Sequence, residues 1–289
     1  MVASLPNSIG LCLWGRGVFA RYQAKLSDMN RLRDSKKGYR DGKAALETQS
    51  GDRGLCFVMI HYHGTPITPR SELQKMAGMH FCVSYAAPAD VKWCIDHGQS
   101  VMLDNGAFSV WKRGRELDLS NFADWIKPYL GHPHWAVVPD VINGTVEQNL
   151  SLIEFWPYPR ELSAVVWHLN EPIDHLLKLS SMGFGKVCFG STEQYDPVGC
   201  QAWERRADEA FNALAKRGPL PWVHALRGLA LSGDRWPFAS ADSTNVARNF
   251  KNIGERVCPE KMARRLDSIQ CPVTWTLRAE QKDMFNVEA

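Results

Sequence analysis

The stretch AVVWHLNEPIDHLLKLSSMGFGKVCFG, residues 164–190, decides the fold. Its two ends, AVVWHL (164–169) and KVCFG (186–190), are too short for a helix and too continuously apolar for a half-exposed antiparallel strand. Between them, Pro172 stands at a first-turn position ahead of IDHLLKL, and Gly183 is a plausible helix stop. The stretch therefore predicts a strand, a helix and a second strand parallel to the first.

The same alternation continues on both sides of this unit. Six further apolar runs have the same length and character, at 55–61, 80–86, 100–104, 135–140, 222–226 and 237–242. Eight strands that alternate with helices predict a single (β/α)8 barrel, the TIM barrel, over residues 55–275. The alternative is a doubly wound open sheet, but no G-x-G-x-x-G sequence follows the first strand.

Local signals at helix ends and along helix faces recur in the connections between these runs. Ser120 is predicted to cap a helix over 121–130, and Thr145 with Gln148 has the spacing of a capping box. A helix within 197–218 has an apolar face and an Arg205–Glu209 pair. Pro259 opens a last helix, which closes before Pro272. Together they support helices between the strands.

Composition and charge describe an ordinary globular chain with one unusual end. Of the 289 residues, 45% are hydrophobic and 22% are charged, and no apolar run reaches the ~20 residues that span a bilayer. We therefore expect a cytoplasmic protein without a membrane partner. Residues 1–50 carry nine Lys and Arg against four Asp and Glu, so 1–54 is predicted to be a basic, disordered extension. Such an arm either contacts nucleic acid or has no role; 276–289 is expected to be a tail.

The placement of cysteine and histidine argues against a metal centre. The eight cysteines are scattered without C-x-x-C spacing, whereas a zinc site of the usual kind needs ligands paired at short spacing. His61 and His63 would lie on one face of a strand, which a metal could use, but no third ligand is evident. We expect no metal and no cofactor.

The ends of the predicted strands carry an unusual set of polar residues. In a barrel, residues at the carboxyl ends of the strands face the active site. In strand order these are Asp104, Asp140, His168, Gly190 with Ser191, Arg227 and Asp242. Any one carboxylate could be a helix N-cap. However, each lies directly on its strand, and Ser243 to Asn245 are better placed than Asp242 to start the next helix.

Three carboxylates on one mouth suit chemistry at the anomeric carbon of a sugar. One carboxylate attacks or stabilises that carbon, and one acid protonates the leaving group. Position alone makes Asp242 and Asp104 the candidates. In LDNGAF (103–108), small residues keep the loop close to a ligand, and Phe108 either stacks on a planar base or packs in the core.

Three of these segments resemble, in order, motifs of the tRNA-guanine transglycosylases. LDNGAFS (103–109) is similar to their D-S-G-G-[FY]-Q segment, and VCFGST (187–192) to their glycine-containing base-pocket loop. ADSTNVARN (241–249) resembles the segment that holds their nucleophilic Asp, with an Arg-Asn pair at the same offset. The resemblance spans roughly 55–255 and is closest in character to compact phage and bacterial relatives that place 7-deazaguanines in DNA.

The resemblance implies replacement of guanine by a 7-deazaguanine, such as a preQ0-like base, through a covalent intermediate. Asp242 would attack C1′, and Asp104 would be the general acid for the departing base and then the general base for the incoming one. The base would be bound by residues of the mouth: Phe108, Asp140, His168, Gly190, Ser191 and Arg227. His168 stands where the tRNA enzymes carry a base-reading Gln. This chemistry requires no metal or nucleotide cofactor.

The choice between DNA and tRNA rests on a feature of the tRNA enzymes that this sequence lacks. The tRNA enzymes carry a late, cysteine-rich zinc site, whereas Cys258 and Cys271 stand alone here. We therefore expect a DNA-guanine transglycosylase in the cytosol of a bacterium or a phage-infected host. The alternatives are a reduced tRNA-guanine transglycosylase, a non-catalytic partner subunit and a sugar-active hydrolase. Whether the chain forms a homodimer stays open, and phosphate contacts are assigned to Lys112, Arg113, Arg248 and Asn249.

Overall fold

A computed structural model describes residues 59–115, 118–191, 193–252 and 258–278. The extension predicted at 1–54 lies outside the described residues, as does most of the tail predicted at 276–289. The barrel predicted over 55–275 is therefore described from Met59 onward.

Eight parallel strands form a closed barrel in the order in which they occur in the chain. Each strand pairs with the next, and the last pairs with the first. The strands are β1 (Ile60–Gly64), β2 (His80–Ser84), β3 (Ser100–Asp104), β4 (Trp135–Val137), β5 (Ser163–His168), β6 (Lys186–Gly190), β7 (Val223–Ala225) and β8 (Ser240–Ser243). The (β/α)8 barrel predicted from the sequence is confirmed, and the open doubly wound sheet is wrong.

Helices fill most of the connections. They are α1 (Arg70–Gln74), α2 (Val91–His97), α3 (Ala107–Trp111), α4 (Leu119–Ile126), α5 (Val146–Glu154), α6 (Ile173–Ser181), α7 (Gln201–Arg217), α8 (Asn245–Asn249) and α9 (Pro259–Asp267). The connection from β7 to β8 carries a 3-10 turn at Leu229–Leu231 in place of an α-helix. Within the described ranges, no helix has the length and apolar character to cross a membrane.

Local capping signals set most helix boundaries where the sequence places them. The capping box that begins at Thr145 is present in full at α5. Gly183 adopts a φ of 80° just after α6, the left-handed conformation that ends helices. The prediction for Ser120 is wrong, because Asp118 caps α4 by accepting the backbone N–H of Asn121 at 3.1 Å. Ser120 instead donates its hydroxyl to Asp118.

The longest helix, α7, packs its predicted apolar face on the barrel. The ring of Phe211 meets that of Phe189 in β6 at a centre-to-centre distance of 5.5 Å, so helix layer and barrel share one core. Glu209 of this helix pairs with Arg206. The four apolar positions predicted on this face are all buried: Ala207, Ala210, Phe211 and Leu214.

Side chains alternate along each strand between the barrel interior and the helix layer. In β1, Tyr62 packs inside the barrel against Trp135. His61 and His63 contact Asp267 of α9 on the outside. The predicted run ends at His61, but the first strand continues through His63 to Gly64, because the buried imidazole of His63 has a polar partner in Asp267.

Candidate active site

The polar residues predicted at strand ends all lie at the carboxyl end of the barrel. Because parallel strands of a barrel end on one face, these residues border a single mouth. They are Asp104 at the end of β3, Asp140 after β4, His168 at the end of β5, Gly190 at the end of β6 with Ser191 next to it, Arg227 after β7 and Asp242 in β8.

Asp104 is a carboxyl group that titrates near neutrality. Burial of the carboxyl group, the negative charge of Asp242 and, less strongly, that of Asp140 raise the pKa of Asp104 from 3.8 to about 7. Hydrogen bonds from Ser84 and from the backbone N–H of Gly106 oppose this shift, the second at 3.1 Å. The group can therefore hold a proton and release it close to pH 7.

Asp242 is held through one of its two carboxylate oxygens. The backbone N–H of Arg227 donates to Oδ1 at 2.8 Å, and Nε2 of His224 lies 3.3 Å from the same oxygen. Within the described ranges both hydrogen bonds end on Oδ1, which leaves Oδ2 for a ligand. Asp242 is not a helix cap, since α8 begins at Asn245 and the hydroxyl of Ser243 accepts its N–H at 3.0 Å.

A buried histidine behind Asp242 was given no role by the sequence analysis. His224 of β7 is fully buried, and its Nδ1 lies 2.8 Å from Oγ of Ser240. The indole N–H of Trp222 donates to the same hydroxyl at 2.8 Å. The sequence contains one signal for it. His224 stands in the middle of the otherwise apolar run 222–226, and alternate residues of a strand face the same side.

Asp140 and His168 form a buried pair on one side of the mouth, after the neighbouring strands β4 and β5. Oδ2 of Asp140 lies 3.0 Å from Nε2 of His168, and Oδ1 accepts a hydrogen bond from Asn105 at 2.8 Å. Burial lowers the pKa of His168, but the hydrogen bond and charge of Asp140, together with the charge of Glu171, outweigh burial and raise that pKa. Asn105 lies within the LDNGAF segment and had no predicted role, yet its side chain orients Asp140.

Gly190 keeps the space beside His168 open. A Cβ at this position would lie 3.0 Å from Nδ1 of His168 and 3.0 Å from Cγ1 of Val166, so a side chain here would push the imidazole aside. The neighbouring Ser191 is buried, and its hydroxyl accepts the indole N–H of Trp203 at 2.8 Å. The hydroxyl of Ser191 therefore ties this loop to α7.

Phe108, expected to stack on a base, is covered on one face by Arg227. The guanidinium carbon lies 3.8 Å from the ring centre, a cation–π contact. Arg227 also donates to the backbone carbonyl of Ser191 and lies 3.7 Å from an oxygen of Asp196. A base that stacks on this face of Phe108 has to displace the guanidinium, so base and guanidinium compete for one surface.

The residues assigned to phosphate binding lie next to the mouth on two of its sides. Lys112 and Arg113 are exposed in the turn after α3, the helix that follows β3. Arg248 is exposed on α8, which follows β8. Asn249 is half-buried and donates to Asn245 within the same helix. The three cations, rather than Asn249, are free to meet a polyanion.

The two imidazoles considered for a metal bind a carboxylate. Oδ1 of Asp267 lies 2.9 Å from Nε2 of His63 and 3.4 Å from Nδ1 of His61. Burial raises the pKa of Asp267, but hydrogen bonds with both imidazoles outweigh it and lower the pKa to about 2. Among the residues that the structure describes, no group of three or more His, Cys, Asp or Glu is placed to hold a metal ion.

No protein-family model, no curated protein and no solved structure matches this chain. Fold and site together define the class: a (β/α)8 barrel whose mouth combines a carboxyl group titrating near neutrality, a second carboxylate held through one oxygen and a buried Asp–His pair. The activity is therefore argued from the chemistry of these groups.

Proposed function

We propose that the protein exchanges guanine in DNA for a 7-deazaguanine base through a glycosyl-enzyme intermediate on Asp242. The proposal rests on the different surroundings of two carboxyl groups at the mouth, Asp104 and Asp242. Asp104 has a pKa raised to about 7, whereas Oδ1 of Asp242 accepts two N–H groups. One proton donor and one carboxylate in a single site are what displacement at an anomeric carbon needs.

The first displacement would open the glycosidic bond of the target nucleotide. Oδ2 of Asp242 attacks C1′ and forms a C–O bond as the bond from C1′ to guanine N9 breaks. Asp104 gives its proton to the departing base, so that guanine leaves neutral and Asp104 becomes a carboxylate.

The second displacement would run through the same groups in reverse. Asp104 takes the proton from the ring nitrogen of the incoming 7-deazaguanine, and that nitrogen attacks C1′. Asp242 then leaves as a carboxylate. Two inversions at C1′ retain the configuration, and Asp104 ends each cycle protonated as it began.

The Asp140–His168 pair supports a guanine-like base as the group exchanged. The pyrimidine edge of such a base offers N–H donors beside a carbonyl acceptor. A carboxylate accepts, and because Nε2 of His168 faces Asp140, a protonated imidazole has Nδ1 left to donate. Gly190 leaves the imidazole undisturbed, and Phe108 supplies a ring face once Arg227 moves.

Exposed cations beside the mouth support a nucleic acid as the acceptor. Lys112, Arg113 and Arg248 can each neutralise a phosphate. The preference for DNA over tRNA rests on the sequence, in which Cys258 and Cys271 stand alone where the tRNA enzymes carry a zinc site. Both nucleic acids therefore belong in the test.

The test measures incorporation of labelled guanine, with DNA and tRNA offered in parallel. We expect label to enter DNA, and we expect the rate to fall about 1000-fold or more in Asp242→Ala and in Asp104→Asn. Asp174→Asn is the matched control, because Asp174 is an exposed carboxylate on α6 and is not one of the strand-end residues. Its rate should equal that of the wild type.

Other outcomes of this incorporation test would each support one of the alternative functions. Incorporation into tRNA alone would move the substrate to RNA, and release of guanine without incorporation would indicate a hydrolase. Absence of exchange in both nucleic acids would favour a non-catalytic partner subunit. Equal incorporation by the wild type and Asp242→Ala would refute the proposal.

A further inference from the structure

A chain of hydrogen bonds runs from the barrel interior to the carboxylate of Asp242. Trp222 donates to Ser240 at 2.8 Å, Ser240 Oγ lies 2.8 Å from Nδ1 of His224, and Nε2 of His224 lies 3.3 Å from Oδ1 of Asp242. His224 is fully buried and packs edge-on against the rings of Tyr62 and Trp135, at 6.0 and 5.3 Å between centres. Two polar contacts and two aromatic rings thus hold the imidazole in place.

The chemistry of the groups decides which way each proton points. An indole N–H only donates, so Ser240 accepts from Trp222. A carboxylate only accepts, so Nε2 of His224 carries the proton that faces Asp242. In a neutral imidazole the other nitrogen is then an acceptor, and Ser240 donates its hydroxyl proton to Nδ1. The chain therefore selects a single tautomer.

We infer that His224 is a positioning residue that holds Asp242 through Oδ1, directs Oδ2 to the sugar and stabilises the carboxylate as it leaves in the second displacement. Ser240 is inferred to keep His224 in the required tautomer. The inference rests on the proposed function of Asp242 as nucleophile. His224 does not touch the substrate.

The two displacements should depend on His224 to different extents. N–H groups of His224 and Arg227 stabilise a carboxylate more strongly than they stabilise the carbonyl oxygen of an ester, because hydrogen bonds to charged acceptors are stronger. They therefore assist the step in which the carboxylate is regenerated. Loss of the His224 donor should slow the second displacement more than the first, and the covalent intermediate should accumulate.

A pair of amide substitutions separates positioning from packing. His224→Gln places an amide nitrogen near the position of Nε2, whereas His224→Asn places it near Nδ1 and does not reach Asp242. We expect His224→Asn to slow the second displacement about 10- to 100-fold, so that kcat and the KM for DNA fall together and kcat/KM for DNA stays unchanged. His224→Gln should restore most of the rate. The measurement is the fraction of enzyme trapped as adduct after a denaturing quench.

A matched pair elsewhere in the barrel controls for loss of a buried imidazole or hydroxyl. His80 Nδ1 lies 2.7 Å from Oγ of Ser100, an arrangement like that of His224 and Ser240 without a contact to Asp242. His80→Asn and Ser100→Ala should leave the trapped fraction at the wild-type level. Thermal unfolding of all variants checks that the comparison is made between folded proteins.

Ser240→Ala tests the tautomer. Without the hydroxyl, a neutral imidazole at His224 also populates the Nδ1–H form, which turns a lone pair toward Asp242. The trapped fraction of Ser240→Ala should therefore rise above the wild-type level, and a fraction equal to that of the wild type would contradict the assignment of Ser240.

Nitrogen-15 NMR of the histidines reads the tautomer without reference to activity. His224→Gln identifies the resonances, which should be those of an Nε2–H imidazole in the wild type and of a mixture in Ser240→Ala. An Nδ1–H form in the wild type, or equal adduct levels in His224→Asn and His224→Gln, would overturn the inference while the proposed function stands. A wild type that neither exchanges guanine nor forms an adduct would remove both.

Discussion

The raised pKa of Asp104 makes a prediction about stability that is independent of activity. Asp104→Asn replaces the carboxyl group by a neutral amide of the same shape. The difference between the usual pKa of 3.8 and about 7 corresponds to about 4 kcal/mol in the free energy of unfolding. Solvent relaxation around the ionised group makes this figure an upper bound.

The sign follows from where the proton binds more tightly. The folded carboxyl group binds its proton more tightly than the unfolded one, so its contribution to stability is complete below pH 3.8 and is lost as pH rises through about 7. The amide of Asp104→Asn does not titrate. Relative to the wild type, the variant should therefore gain stability between pH 4 and pH 8, by up to about 4 kcal/mol.

Urea unfolding followed by tryptophan fluorescence at pH 4.5, 6 and 8 measures this difference. Asp174→Asn, which removes an exposed carboxylate on α6, is measured beside it as the matched control. A constant difference for Asp104→Asn across this range would refute the reasoning, because it would mean that Asp104 ionises as easily in the folded protein as in the unfolded chain. If Asp104→Asn is more stable than the wild type but does not exchange guanine, then the carboxyl group of Asp104 serves catalysis and lowers the stability of the fold.

Two further substitutions test the base pocket and the outer face of the barrel. Gly190→Ala should raise the KM for the exchanged base about 10-fold, because its Cβ would lie 3.0 Å from Nδ1 of His168. Gly131→Ala, where a Cβ meets nothing within 4 Å, is the control, and equal KM values in exchange kinetics would contradict the role of Gly190. Asp267→Asn should destabilise the fold at pH 7 by about 1 kcal/mol in urea unfolding, a figure reduced for partial exposure of the carboxylate. Because the pKa of Asp267 is lowered to about 2, this loss should vanish as pH falls through that value, and an equal loss at pH 2 would count against the contact with His61 and His63.

The barrel and its acidic mouth could be predicted because short-range patterns encode them. A parallel strand buried on both faces is a continuous apolar run, and the first polar residue after it marks the carboxyl end. The ends of β3 at Asp104 and of β6 at Gly190 fall where the sequence places them. The capping box at Thr145 is equally local and is equally confirmed.

The contacts that tune the site could not be predicted, because they join distant parts of the chain. The bond between His224 and Asp242 depends on the register of β7 against β8, which aligns His224 with Ser240. The position of Arg227 over Phe108 depends on the loop after β7 meeting α3, the helix after β3, across the mouth. In β1, the strand continues through His63 because Asp267, 204 residues further on, offsets the burial of the imidazole.

The central claim is that Asp242 becomes covalently bonded to the sugar of the target nucleotide. Protein incubated with DNA, quenched in denaturant and digested should yield one peptide, spanning Asp242, with the added mass of a deoxyribose-linked DNA fragment. The adduct should disappear in Asp242→Ala and when excess free base is added before the quench. Guanine exchange that proceeds without any adduct, or with the adduct on a different residue, would contradict the account.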